Sequence, residues 1–171
     1  VTTKDAVDYV LSQESHLGCT VTAHHLMINR TDLFRGGIRP HLYCLPIAKR
    51  EKHRQALRIA ATSGDRRFFL GTDTAPHSVQ NKETTCGCAG IFSAPTAIEL
   101  YAQVFDEEGA LDQLEAFASL NGPAFYELPL NNDTIRLSRE PTQMPGSVVT
   151  SEGEVIKVFH PDDGLHWRLL D

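Results

Sequence analysis

The chain has 171 residues, of which 41% are hydrophobic, and its 22 acidic and 16 basic side chains give a formal net charge of -6. That suits one soluble globular domain with a real core, since ~150 residues bury about 68–70% of their unfolded surface. The acidic balance argues against nucleic acid or an anionic membrane as the main partner, and no apolar run approaches the ~18 residues of a membrane span. Four cysteines, Cys19, Cys44, Cys86 and Cys88, read as reduced thiols of a cytoplasmic protein. The "CGC" spacing at Cys86 and Cys88 is shorter than the usual zinc pattern.

Residues 1–13, "VTTKDAVDYVLSQ", read as a helix from the first turn. Thr2 or Thr3 caps it, and Ala6, Val7, Val10 and Leu11 repeat at helical spacing. Opening on an amphipathic helix, at Val1 rather than Met, points to a chain cut from a longer one. Residues 18–28, "GCTVTAHHLMI", are β-branched enough for a buried strand, which makes His24 and His25 strand and core residues. A connection with Gly-Gly and two prolines follows, with "HLYCL" as a short extended piece. Residues 47–64 are helical, with Ala56, Leu57, Ile59 and Ala60 apolar, "REKHRQ" as the solvated face and Gly64 as the stop.

"RRFFLGTD", residues 66–73, is the next strand, and a long loop runs from it to about Phe92. Two helical patterns fill residues 93–122, opened by Ser93 or Pro95 and broken at Gly109, after which "GPAFYELP" starts a turn. From Asp133 the text changes to short extended runs, and the closing "GLHWRLLD" is expected to pair with "EVIKVF" as a hairpin. Buried strands alternating with helices imply βαβ units and a parallel sheet. Two such strands cannot complete a sheet covered on both faces. In a (β/α)8 barrel the function sits in loops at the C-terminal strand ends, which is where Asp73 and His77 fall.

The stretch "GTDTAPHSVQNK", from Gly71 to Lys82, carries a Gly, a Ser or Thr, an Asp, then Ala-Pro-His and, after four residues, a Lys. It resembles the second signature of the dihydroorotases at every position. The likeness continues through "ETTCGCAGIFSAPTA" after it and "GGIRPHLYCLPIAKR" before it, and from Val1 to roughly Ser138 this chain is similar to the single-domain bacterial type, the tail only loosely. The resemblance implies the C-terminal part of a metal-dependent-hydrolase (β/α)8 TIM barrel of the amidohydrolase superfamily. Residues 1–138 would be strand–helix units, and residues 139–171 a β-rich tail of the same domain. It implies two zinc ions bridged by a carboxylated lysine outside this chain. It also implies interconversion of N-carbamoyl-L-aspartate and L-dihydroorotate in pyrimidine synthesis.

Carried over by position, Asp73 is a zinc ligand and the general base, and His77 contacts the substrate carboxylate. Ala89 meets that carboxylate, and Leu45 the pyrimidine ring, through their backbones. The family's other metal ligands, and the arginine and asparagine that hold the carboxylate, lie in the part preceding these residues. The expected partners are therefore a small-molecule substrate and the N-terminal portion of the same barrel, with a homodimer when full length. Residues 1–171 are expected to be inactive alone.

The chemistry is coherent. Zinc lowers the pKa of bound water to about 7, and a carboxylate beside it can carry that proton to the poor nitrogen leaving group of a ring amide. Without the signature, Asp73 reads as a plain turn residue and His77 as a surface loop histidine. Arg39 and His41 either line the site or brace a loop, and Cys86 and Cys88 form a tight loop that delivers Ala89. The competing function classes are a non-catalytic remnant or binding module, and a related cyclic amidase of the hydantoinase or allantoinase kind. The second is disfavoured because the surroundings of His77 read a carboxylate.

Overall fold

The computed structural model describes residues 1–14 and 16–170. Helix α1 (Lys4–Ser12) starts where the Thr3 side chain accepts a hydrogen bond from the Ala6 amide, and it buries Val7 and Val10. Strand β1 (Cys19–Val21) pairs in parallel with β2 (Phe68–Leu70), Cys19 opposite Phe68 and Val21 opposite Leu70. Helix α3 (Glu51–Thr62) links them, packs on α1 and stops before Gly64, whose φ of 77° is the left-handed conformation that closes a helix. The protein is thus mixed α/β around a parallel pair.

The strand expected over residues 18–28 ends early. Thr22 turns the chain by capping α2 (Ala23–Met27), its hydroxyl taking the His25 amide at 3.4 Å. His24 and His25 are therefore core residues, as expected, but on a helix rather than a strand. β-Branched composition marks the strand, and a side-chain cap overrides it after three residues. "HLYCL" is likewise not extended at its start, because Pro40–Leu42 forms a 3-10 turn with the proline in its first turn.

The signature region holds a short helix α4 (Val79–Lys82). Helix α5 (Ala97–Glu107) ends before Gly109, and a 3-10 turn and a π-helical turn lead to α6 (Asn121–Tyr126), where a turn was expected. In the tail, β3 (Arg136–Ser138) pairs antiparallel with β6 (Arg168–Leu170), and β4 (Ser147–Val149) with β5 (Val155–Lys157). The hairpin expected between β5 and the closing segment is not made. Gly153, at φ 84°, tightens a turn that folds β5 onto β4 instead. Phe159, Leu165 and Trp167 are buried, so the intervening segment serves packing rather than a ladder.

Two contacts register the helical layer against the strand ends. Tyr101 of α5 is fully buried, and its hydroxyl donates to the Val21 carbonyl at 2.7 Å, with the Gly71 carbonyl 3.4 Å away. A Cβ on Gly71 would lie 2.5 Å from Thr20 Cβ, so only glycine lets the chain leave β2 beside β1. Tyr101→Phe removes the donor and leaves a buried carbonyl unpaired, which costs about 1–3 kcal/mol. The melting temperature should fall by roughly 2–4 °C per kcal/mol lost. An unchanged melting temperature would contradict this role.

Candidate active site

The chain leaving β2 runs antiparallel neither to β1 nor to any hairpin partner, but beside residues 89–91. Thr74 and Ile91 form an isolated parallel bridge, and the Ala75 amide donates to the Ile91 carbonyl at 3.0 Å. The Thr74 hydroxyl accepts the amides of Ser93 and Ala94 at 3.2 and 3.1 Å, which holds the start of the next element in place. His77 Nε2 lies 3.1 Å from the Ala89 carbonyl. Gly90 makes this approach possible: at φ 157°, a Cβ there would meet Ala75 and the His77 ring at 2.7 and 2.8 Å.

The Leu45 loop joins the same cluster. The Gly90 amide donates to the Tyr43 carbonyl at 2.9 Å. The Leu45–Pro46 peptide is cis, and the Leu45 side chain is exposed. His25 anchors the far side of this loop, with Nε2 2.8 Å from the Pro46 carbonyl and Nδ1 2.6 Å from the Thr22 hydroxyl. The carbonyl can only accept, so Nε2 carries the proton and Nδ1 accepts from Thr22.

Asp73, His77, Ala89 and Leu45 thus come together in one group of loops beyond the C-terminal ends of β1 and β2. Asp73 is exposed and held at φ 44°, a conformation that Asp tolerates better than most residues. Its charge is felt below: it opposes the burial that lowers the His25 pKa, and it adds to the burial that pushes the Cys44 thiol up to about 11. Arg39 and His41 are committed elsewhere. Arg39 makes a two-pronged pair with Asp162, at 2.6 and 2.7 Å, and His41 meets Glu83 at 2.8 Å. All four cysteines are free.

Sequence reasoning missed the roles of His25 and Lys82. Lys82 is buried and donates to the carbonyls of Tyr43, Cys88 and Gly90. The one sequence signal was its position at the end of the signature, in an otherwise exposed-looking polar run.

Two donor sets lie near these loops. The ligand atoms of His24, His25 and Cys44 lie within 4.8 Å of one another. Both His25 nitrogens and the Cys44 sulfur already have partners in Thr22 and Pro46, which leaves only His24 with unpartnered nitrogens and no open set of three donors. Asp73 is the opposite case: an accessible carboxylate at a strand end, a donor that zinc accepts. Such a carboxylate fits the role of a single metal ligand.

No family profile matches the chain. The dihydroorotase of Synechococcus sp. (strain CC9605) is 60% identical over 171 residues, covering 100% of this chain and 48% of that protein. That of Erythrobacter litoralis (strain HTCC2594) is 59% identical over 169 residues, 99% of this chain and 49% of that protein. Among solved structures, the Saccharomyces cerevisiae dihydroorotase in complex with 5-fluoroorotic acid matches with a TM-score of 0.87 at 33% identity, over 99% of this chain and 50% of its own. The Campylobacter jejuni dihydroorotase matches at 0.85 and 31%, over 100% and 48%. The chain belongs to the dihydroorotase family, and it matches the C-terminal part of its members. It spans about half the length of the curated relatives it matches.

His24 gives the site's floor a pH dependence. It is fully buried, its ring sits 4.6 Å from that of His25, and neither ring nitrogen has a hydrogen-bond partner among the described residues. Burial, with a smaller contribution from His25, lowers its pKa from 6.5 to about 3. The folded state therefore binds fewer protons than the unfolded one between those values. The stability this confers is complete above pH 6.5 and is lost as pH falls toward 3. His24→Gln should flatten the loss of unfolding free energy between about pH 6.5 and 4. Parallel losses in the two proteins would contradict it.

Proposed function

We propose that this chain is the C-terminal part of a dihydroorotase, which interconverts N-carbamoyl-L-aspartate and L-dihydroorotate in pyrimidine biosynthesis. The observation that carries the proposal is the bridge from Thr74 to Ile91, which lays the Asp73–His77 loop against the Ala89 segment. In this reading residues 1–138 are strand–helix units of a (β/α)8 barrel and residues 139–171 its tail. The remaining units and ligands come from the N-terminal part of the same barrel, and the whole enzyme is a cytoplasmic homodimer.

Asp73 would hold zinc together with ligands from that other part. Zinc, when bound, lowers the pKa of water to about 7 and so supplies hydroxide at neutral pH. The Asp73 carboxylate takes the proton of the attacking water and passes it to the ring nitrogen as the amide bond breaks. His77 and the backbone at Ala89 meet the substrate carboxylate. The His77 ring is held by Nε2 against the Ala89 carbonyl, on the same loop as the Ala89 amide. The Leu45 backbone meets the ring, and its exposed side chain leaves the main chain free to do so. Residues 1–171 alone hold one ligand of this centre and have no turnover of their own.

Asp73→Asn in the full-length enzyme keeps the tolerance for a left-handed backbone while removing the charge. Turnover in both directions should fall by about 10²–10⁴-fold with the fold retained. A folded variant with about half the parent turnover or more would overturn the assignment.

A further inference from the structure

Lys82 closes the signature, and the chemistry above does not use it. It is the last residue of α4, its residue is 3% exposed, and its Nζ lies 2.6 Å from the Gly90 carbonyl, 2.7 Å from Cys88 and 3.1 Å from Tyr43. An ammonium has three donors and no acceptor, so these three carbonyls use all of its capacity. Burial lowers its pKa. Taking a charge out of water is costly unless its bonds are complete, and here they are.

The three carbonyls belong to the two loops that matter. Cys88 and Gly90 flank Ala89, and Tyr43 lies two residues before Leu45. A peptide unit is planar and trans, so its N–H points opposite to its C=O. Holding the Cys88 carbonyl on Nζ therefore turns the Ala89 N–H away from Lys82, outward from the clamp. The Gly90 amide, bonded to the same Tyr43 carbonyl at 2.9 Å, ties the second loop to the first. A hydrophobic side chain of the same length would fill this space but would leave three carbonyls without a common partner.

We propose that Lys82 is a positioning residue for substrate binding: its buried ammonium clamps the Tyr43–Leu45 loop to the Cys88–Gly90 loop and aims the Ala89 N–H at the substrate carboxylate. This rests on the function proposed above, in which the Ala89 and Leu45 backbones bind substrate. Lys82 touches no reacting atom, so its loss acts on binding before chemistry.

The test is steady-state kinetics of the full-length enzyme and its Lys82→Met and Lys82→Arg variants with L-dihydroorotate, with melting temperatures recorded alongside. Lys82→Met should raise KM by about tenfold or more while kcat stays within about threefold. Lys82→Arg keeps a cation and part of the bonding, and its KM should lie between the two. A folded Lys82→Met enzyme with the parent KM, or one that loses kcat at unchanged KM, would overturn the proposal. So would failure of both variants to fold, which would mark Lys82 as a residue of general stability. A parent enzyme with no dihydroorotase turnover would instead remove the proposed function, visibly and before any variant is compared, and this inference with it.

Discussion

The parallel pairing of Cys19–Val21 with Phe68–Leu70 is the constraint on which the remaining structure depends. Parallel neighbours release their chains at the same edge, so whatever follows Val21 and whatever follows Leu70 must share one surface. Thr22 turns the first chain into α2, and Gly71 lets the second pass Thr20 without collision. Tyr101 then reaches from α5 to the carbonyl of Val21 with that of Gly71 beside it, so one hydroxyl senses the alignment of both strand ends. The left-handed turn at Asp73 is made immediately above this point.

Beyond the strand ends, the loops are held by polar groups that point inward. His25 holds Pro46 from below, and Lys82 holds Tyr43, Cys88 and Gly90 from the side. These buried polar groups are mostly satisfied, which is the condition under which such networks rigidify a structure rather than weaken it. Among the described residues the Ser78 and Ser93 hydroxyls and His24 are without partners, and His24 keeps its two nitrogens in a closed aromatic setting beside His25 and Phe159. The Asp73 carboxylate stays outside this network, exposed, while the backbone beneath it is fixed.

Much of this was legible from residues close in sequence. The Thr3 cap, the apolar spacing of α1 and α3, and the stops at Gly64 and Gly109 are local signals, and the structure follows them. The position of Asp73 after a hydrophobic strand was equally local. What could not be read depended on partners far along the chain. Gly153 is a local signal for the turn that pairs β5 with β4, but the course of the segment after β5 turns on burial of Phe159 and Leu165 against a core built elsewhere. The run "TVTAHHLMI" looks extended throughout, and its turn into α2 rests on one threonine acting as a cap. Lys82 sits in a polar run whose burial follows only from the meeting of two distant loops.

The central claim is that these loops complete a catalytic site whose other ligands lie in the N-terminal part of the barrel. The most direct measurement is dihydroorotase activity, in the presence of zinc, of residues 1–171 alone and of the same chain co-expressed with the N-terminal portion of its barrel. The account predicts no turnover from the first and restored turnover from the second. Turnover by residues 1–171 alone, or none from the combined portions, would contradict it.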